Sequence, residues 1–291
     1  MNKLCYLSYG VGLMFATHLA VQASEPGNDT VRVAAVQCPS VMGETAGNLT
    51  RIVSLVRKAA DGGAKIVVLP ECAVQGYVDP PTWTSWSTDA DDEFGKDVSK
   101  AAELVPGPSS KRLAELADDL NIYLCVGIVE AARDIARYYN SQLLFNPEGK
   151  MVAHHRKKAL WMPGDSAWVT PGDRPIQVVD TEYGRLGLMI CYDFHRLPPL
   201  LAEKGADIVL YSVGWYGSNE KQWFSKTFPR KAVIPHGFDI VVANWSAPNR
   251  EDYWPGRGHS CIITRKGEVL DMAESVAGNA IVYGDLEIRK R

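Results

Sequence analysis

Four stretches limit what this chain can fold into: KIVVLPE (65–71), GRLGLMIC (184–191), DIVLYSV (207–213) and DIVVAN (239–244), each a near-continuous apolar run. A strand with one face in water alternates apolar and polar residues, whereas an unbroken run is buried on both faces. These runs therefore require sheets covered on each side. Covering helices are legible too. NLTRIVSLVRKAADGGA (48–64) carries Ile52, Leu55 and Val56 on one stripe, and SSKRLAELADDLN (109–121) carries Leu113, Leu116, Ala117 and Leu120.

The remaining order follows from the same rules. Strands are predicted over VRVAAVQC (31–38), IYLCVGIVEA (122–131), NSQLLFN (140–146) and MVAHHRK (151–157). IQVVDTEYGRLGLMIC (176–191) reads as two strands about a Tyr-Gly turn, and FDIVVANWSA, HSCIITRKGEVL and AIVYGDLEI close the chain. A long loop is predicted through Asp97, a short helix near 98–104, and helices around LPPLLAEKGA (197–206) and NEKQWFSKTFPRKAVI (219–234). Linkers are short and no repeat appears, so one α/β domain is expected over residues 24–291.

Residues 1–23 stand apart. MNKLCYLSYGVGLMFATHLAVQAS has one lysine, no acid, an apolar middle and the small-residue site Val21-Gln22-Ala23, the pattern of a secretory signal peptide cleaved after Ala23. The mature protein is then exported, periplasmic or secreted. A retained anchor is the alternative, but Ser8, Tyr9, Gly10, Thr17 and His18 dilute the run below a spanning helix of about 20 residues. Cleavage removes Lys3 and no acid, moving the formal charge from −3 to −4, and the only dense basic cluster is His154–Lys158. Nucleic acid is not an expected partner. Five cysteines remain: Cys38, Cys72, Cys125, Cys191 and Cys261. An odd number scattered through apolar runs argues against a disulfide framework.

Three buried runs end in polar groups: Glu71, Cys191 and Asn244. Sites in α/β sheets assemble beyond the carboxyl ends of strands, so the three could share a pocket. Glu71 also reads as an exposed acid at a strand end, and Asn244 as a structural hydrogen bonder. Cys191 lies at a strand-to-helix turn, where free N–H groups favour a thiolate. A local Cys191/Asp193/His195 triad is the tempting reading and a weak one, because the base in thiol enzymes often comes from a distant segment. A metal site from His154, His155, Cys191 and His195 lacks zinc-ligand spacing.

VLPECAVQGY, HHRKKALW, LGLMICYDFHR followed by GADIVLYSVGW, and GHSCIITRKGEVL occur in the order and at about the spacing of the nitrilase superfamily, the carbon–nitrogen hydrolases, which the mature chain resembles along nearly its whole length. The resemblance implies a four-layer α-β-β-α sandwich and a Glu-Lys-Cys catalytic set carried by Glu71, Lys157 and Cys191, with Lys158 as the alternative lysine. It implies hydrolysis of a small amide or N-carbamoyl compound through a cysteine thioester. The backbone N–H of Tyr192 then faces the oxyanion, no metal or organic cofactor is needed, and the protein forms a homodimer or larger homo-oligomer. Stable membrane insertion after signal cleavage is not expected.

Departures from the family pattern bear on substrate. Many members carry a second glutamate where this chain has Asp165. Asp is one methylene shorter, which leaves open a site role, with contact to Lys157 or substrate through water or lost, and the capping of a loop turn. CYDFHRLPPL puts His195 at the position of a carboxylate-holding arginine, with Arg196 one residue later and Pro199 where Glu is usual, against the N-carbamoyl amino acid class. Tyr192-Asp193 favours an amidase over nitrile hydrolysis. Asp165, His195 and Trp215 are candidate pocket residues. The aromatics of YVDPPTWTSWSTDADDEF (77–94), with Trp161 and Trp168, read either as a wall for an apolar amide or as ordinary packing or subunit contacts. The alternatives are nitrile hydrolysis, acyl transfer to an amine, and a silent small-molecule-binding scaffold.

Overall fold

The computed structural model describes residues 29–79, 84–133, 136–214, 220–247 and 258–289. The leader segment 1–23 and Trp215 lie outside the described residues. In chain order the strands are β1 (Thr30–Gln37), β2 (Ile66–Val68), β3 (Val78–Asp79), β4 (Thr84–Ser87), β5 (Gly95–Asp97), β6 (Tyr123–Ala131), β7 (Tyr138–Phe145), β8 (Met151–Arg156), β9 (Val178–Thr181), β10 (Gly184–Ile190), β11 (Ile208–Val213), β12 (Asp239–Asn244), β13 (Cys261–Ile263), β14 (Val269–Met272) and β15 (Ala280–Glu287). The helices are α1 (Thr45–Asp61), α2 (Pro108–Leu120), α3 (Met162–Asp165), α4 (Leu197–Glu203) and α5 (Glu220–Gln222).

Two six-stranded sheets form, in the orders β15-β1-β2-β6-β7-β8 and β14-β13-β12-β11-β10-β9. Their faces explain the unbroken apolar runs. Along β1, Val31, Val33 and Ala35 point into the layer between the sheets, while Ala34 and Val36 meet the apolar stripes of α1 and α2. Along β10 to β12, Leu186, Leu188, Ile208, Leu210, Val241 and Ala243 fill the same inner layer. Met189, Val209, Tyr211, Ile240 and Val242 face outward onto Leu197 and Leu201 of α4 and onto Phe224 and Phe228. Helix, sheet, sheet and helix therefore stack as the expected α-β-β-α sandwich, with each buried aliphatic side chain contributing about 1.5–3 kcal/mol.

Three predicted elements differ. The loop through Asp97 folds into a small third sheet, β3-β4-β5, in which Trp86 of β4 buries its side chain and donates from Nε1 to the carbonyl of Gly76 at 2.8 Å. The helix expected over 98–104 stops after one 3₁₀ turn, Val98–Lys100, because the backbone of Glu103 bonds to β6 instead (Glu103 N to Val129 O, 3.1 Å; Ala131 N to Glu103 O, 2.8 Å). The helix over 219–234 becomes α5 followed by π-helical turns at Trp223–Thr227 and Pro229–Val233. Pro229 has no N–H to donate and its ring crowds the preceding turn, so the helix widens; Ile234 N donates to Pro229 O at 2.9 Å.

Beyond β2 the chain turns sharply across β6 at Gly127. A Cβ on Gly127 would lie 2.4 Å from Pro70 O and 2.5 Å from Cys72 N, so the missing side chain makes room for the backbone on either side of Glu71. Gly127→Ala should therefore lower stability by about 1–3 kcal/mol. Gly47→Ala, in the exposed first turn of α1 where the nearest atom is 3.6 Å away, should raise it by about 0.5–1 kcal/mol. Thermal unfolding of the two variants beside the parent checks both signs.

Candidate active site

Strand ends from both sheets deliver the reactive groups to one buried cluster. Glu71 follows β2 and has no exposure to water. Its Oε1 accepts from Asn140 Nδ2 at 2.7 Å and from Lys157 Nζ at 2.8 Å, and its main-chain oxygen accepts from Trp245 Nε1 at 2.7 Å. Its Oε2 has no hydrogen-bond partner among the described residues and lies beside Gly214, where a Cβ would approach it to 2.9 Å. Lys157 follows β8 and is equally buried, its Nζ 2.7 Å from Asp165 Oδ2. Asp165 in turn accepts from Tyr77 OH at 2.5 Å and from Trp161 N at 2.7 Å. Lys158, the alternative lysine, instead donates to Gly172 O at 3.0 Å.

Cys191 closes the cluster from the second sheet. It is half-buried at the end of β10 with φ +37°, a left-handed conformation that is uncommon for a residue with a side chain. Tyr211 OH donates to its carbonyl at 2.8 Å, and the Gly214 N–H bonds its sulfur. Burial pushes the thiol well above the ordinary cysteine range and the Glu71 charge adds to the effect, while Lys157 and the Gly214 N–H pull it back. Burial also raises Glu71 above the ordinary carboxylate range against the pull of Lys157. For Lys157, burial works against the charge, but Asp165, Glu71 and Cys191 together hold the ammonium well above the usual lysine range. The resting cluster thus holds a neutral thiol, a cationic lysine and a carboxylate whose proton affinity is raised by burial. The three groups titrate together.

β8 separates two polar networks by the period-2 rule. His154 and Arg156 face one way, where Glu130 of β6 accepts from His154 Nε2 at 2.7 Å, from Arg156 and from Ser141 Oγ at 2.6 Å. His155 and Lys157 face the other way, and His155 Nε2 lies 2.7 Å from Asp193 Oδ2. Each histidine is committed to its own acid, so the four residues of the metal reading do not converge. The local triad fails for a related reason. Asp193 is buried and directed at His155 and backbone N–H groups, whereas His195 is exposed on the outer side of the turn, its ring 4.2 Å from Tyr192 and 3.8 Å from Phe194. Partial burial and the charge of Lys231 hold His195 below the usual imidazole range.

The contact left open for Asp165 is direct, with neither a water bridge nor a gap between it and Lys157, because the Tyr77 hydroxyl and the Trp161 N–H hold the shorter carboxylate against the ammonium. Trp86 and Trp168 are buried packing in a cluster with Tyr77, Val129 and Trp245. Asn244 bonds Gly258 O at 2.7 Å and Trp245 N at 2.9 Å, in keeping with the structural reading. Asn140 escaped the sequence reading altogether: its side chain holds Glu71 while its carbonyl accepts from Lys157 N at 2.8 Å. The signal was there in Asn140-Ser141-Gln142, three consecutive polar residues inside the buried strand β7.

Residues 32–289 match the profile of the carbon–nitrogen hydrolase family. Among curated relatives, omega-amidase NIT2 of Homo sapiens is 31% identical over 255 residues, 84% of each chain, and that of Mus musculus is 31% identical over 273 residues, 90% of each. Among solved structures, Saccharomyces cerevisiae Nit3, a member of branch 10 of the nitrilase superfamily, aligns with a TM-score of 0.73 at 26% identity over 89% of this chain and 90% of that one. An amidase of the nitrilase superfamily from Nesterenkonia AN1 gives 0.73 at 22% identity over 90% and 92%, a likeness of fold.

The network on the far face of β8 carries a pH signature. Burial opposes the charge on Glu130, but the bonds from His154, Arg156 and Ser141 outweigh it and bring its carboxyl down to about 2 from an ordinary 4.5. A depressed pKa contributes stability that is present above the ordinary value and lost as pH falls through the folded one. At about 1.4 kcal/mol per unit this amounts to roughly 3 kcal/mol. Glu130→Gln should show that loss at neutral pH and a flatter stability profile between about pH 5 and pH 2, read from urea unfolding at each pH.

Proposed function

Because this chain belongs to the carbon–nitrogen hydrolase family of the nitrilase superfamily, we propose that it hydrolyses the C–N bond of a small carboxamide through a thioester at Cys191, releasing ammonia or an amine. One observation carries the proposal: the Lys157 ammonium, wholly out of water, is clasped between Glu71 and Asp165 beside the Cys191 turn. A thioester route needs a base for the thiol, a cation for the oxyanion and a proton for the leaving nitrogen. Glu71 Oε2, unpartnered and next to Gly214, takes the thiol proton as sulfur attacks the carbonyl carbon. The oxyanion forms against Lys157 and the Tyr192 N–H. Glu71 passes the proton to the nitrogen, the C–N bond breaks, and ammonia or amine departs. Glu71 then takes a proton from water as its oxygen attacks the thioester, and the carboxylic acid leaves with the thiol restored.

Asp165 has no proton-transfer role in this scheme; it holds Lys157 in place. The omega-amidases among the relatives point to terminal carboxamides as the substrate class, and a variant of the Nesterenkonia amidase carries the acetamide moiety of fluoroacetamide covalently at its active-site cysteine, a precedent for sulfur as the attacking atom. Export rests on the leader-like residues 1–23 alone, and a homo-oligomer on the family resemblance.

Ammonia release by residues 24–291 over aliphatic amides, aromatic amides, N-carbamoyl amino acids and nitriles tests the proposal. Amides should turn over, Cys191→Ala should cost at least about a thousandfold, and rapid quench should trap an acyl group on Cys191 by mass spectrometry. Ammonia release that survives in Cys191→Ala would sink the thioester. In the parent enzyme, kcat/KM should fall as acid protonates Glu71. Since burial raises that carboxyl, the midpoint of the acid limb should lie above 4.5.

A further inference from the structure

Asp193 is a third buried acid near the nucleophile, and the scheme above gives it nothing to do. Its four bonds divide unevenly. Oδ2 accepts from Ile190 N at 3.3 Å, just before Cys191 in its own segment. The other three donors lie on β8 of the opposite sheet or in the segment that directly follows it: Oδ1 accepts from Lys158 N at 2.9 Å and Ala159 N at 2.8 Å, and Oδ2 from His155 Nε2 at 2.7 Å. Capping the Cys191 turn would need only the first. The donors from the other sheet flank Lys157 on both sides, at 155 and at 158–159.

We infer that Asp193, with His155, is a positioning bracket that fixes the Lys157 segment against the Cys191 turn across the two sheets. The inference rests on the hydrolase reading above. Three observations carry it. First, β8 and β10 lie in different sheets, so no strand ladder sets the distance between their ends. Second, Cys191 holds a left-handed backbone that costs of order 1–3 kcal/mol and persists only where neighbours over-determine it; Asp193 and the Tyr211 hydroxyl supply that constraint. Third, Glu130 is the natural contrast. It is also buried beside β8, but its partners His154, Arg156 and Ser141 all lie in its own sheet and none is on the Cys191 turn.

The distinction is measurable. In Asp193→Asn an NH₂ replaces one accepting oxygen, so two N–H donors lose their acceptor whichever way the amide lies. Asp193 touches no substrate, so kcat should fall about ten- to a hundredfold, as a displacement near 1 Å does, with KM within about twofold of the parent. The rate of Cys191 alkylation by iodoacetamide should fall with it. Glu130→Gln should lose stability yet keep the parent kcat and alkylation rate per folded molecule. His155→Gln, which keeps an N–H donor with altered reach, should give a smaller fall in both, and it decides the matter if Asp193→Asn does not accumulate folded. Parent values of kcat and alkylation in either folded Asp193→Asn or folded His155→Gln would overturn the bracket, as would losses of equal size in Glu130→Gln. Alkylation needs no amide. If the parent released no ammonia while Asp193→Asn still slowed alkylation, the hydrolase reading would fall and the bracket would stand.

Discussion

A lysine ammonium sealed from water is the constraint on which the rest of this molecule depends. An ion in the interior costs several kcal/mol unless paired and hydrogen-bonded, so Lys157 can occupy its place only with Glu71 and Asp165 already there. Each acid then makes its own demand. Glu71 requires the Asn140 amide, and Asp165 requires the Tyr77 hydroxyl and the Trp161 N–H. Those donors come from β7, from the turn after β2 and from the start of α3, so the needs of one cation recruit three separate segments.

The sandwich meets these demands because strands are stiff and their ends coincide. β2 runs parallel to both of its neighbours and β10 runs parallel to β11, and each run of buried aliphatic residues leads without a break into a reactive group. Close approach is bought by absent side chains: Gly127 admits the Glu71 turn, and Gly214 leaves space at Glu71 Oε2 and brings an N–H to the Cys191 sulfur. Between the sheets, where no ladder runs, Asp193 and His155 span the gap.

Much of this was legible along the chain. Unbroken apolar runs meant doubly covered sheets, and the stripes of α1 and α2 meant helices to cover them. The chain also ordered its motifs clearly enough to pair Glu71 with Cys191 from 120 positions away. What escaped had local signals too weak to outweigh tertiary context. Two- to four-residue strands such as β3, β4 and β5 leave no period to read, and a proline inside a helical pattern does not say that the helix will widen into π-turns instead of ending. Asn140 and Tyr77 look ordinary in sequence because their roles depend on partners 69 and 88 positions away.

The amino-acid sequence by itself determined which segments are buried, which residues stand at the ends of the buried strands, and the family those motifs mark, because periodicity and residue chemistry are properties of the chain. The tertiary structure alone decided which partner each polar group takes. Asp193 could bond the histidine two positions on or one 38 positions back, and it took His155. Asp165 is a methylene short, yet it reaches Lys157 because Tyr77 and Trp161 hold it there. Such choices turn on ångström distances between segments remote in the chain, and the energy of a buried charge changes steeply over those distances.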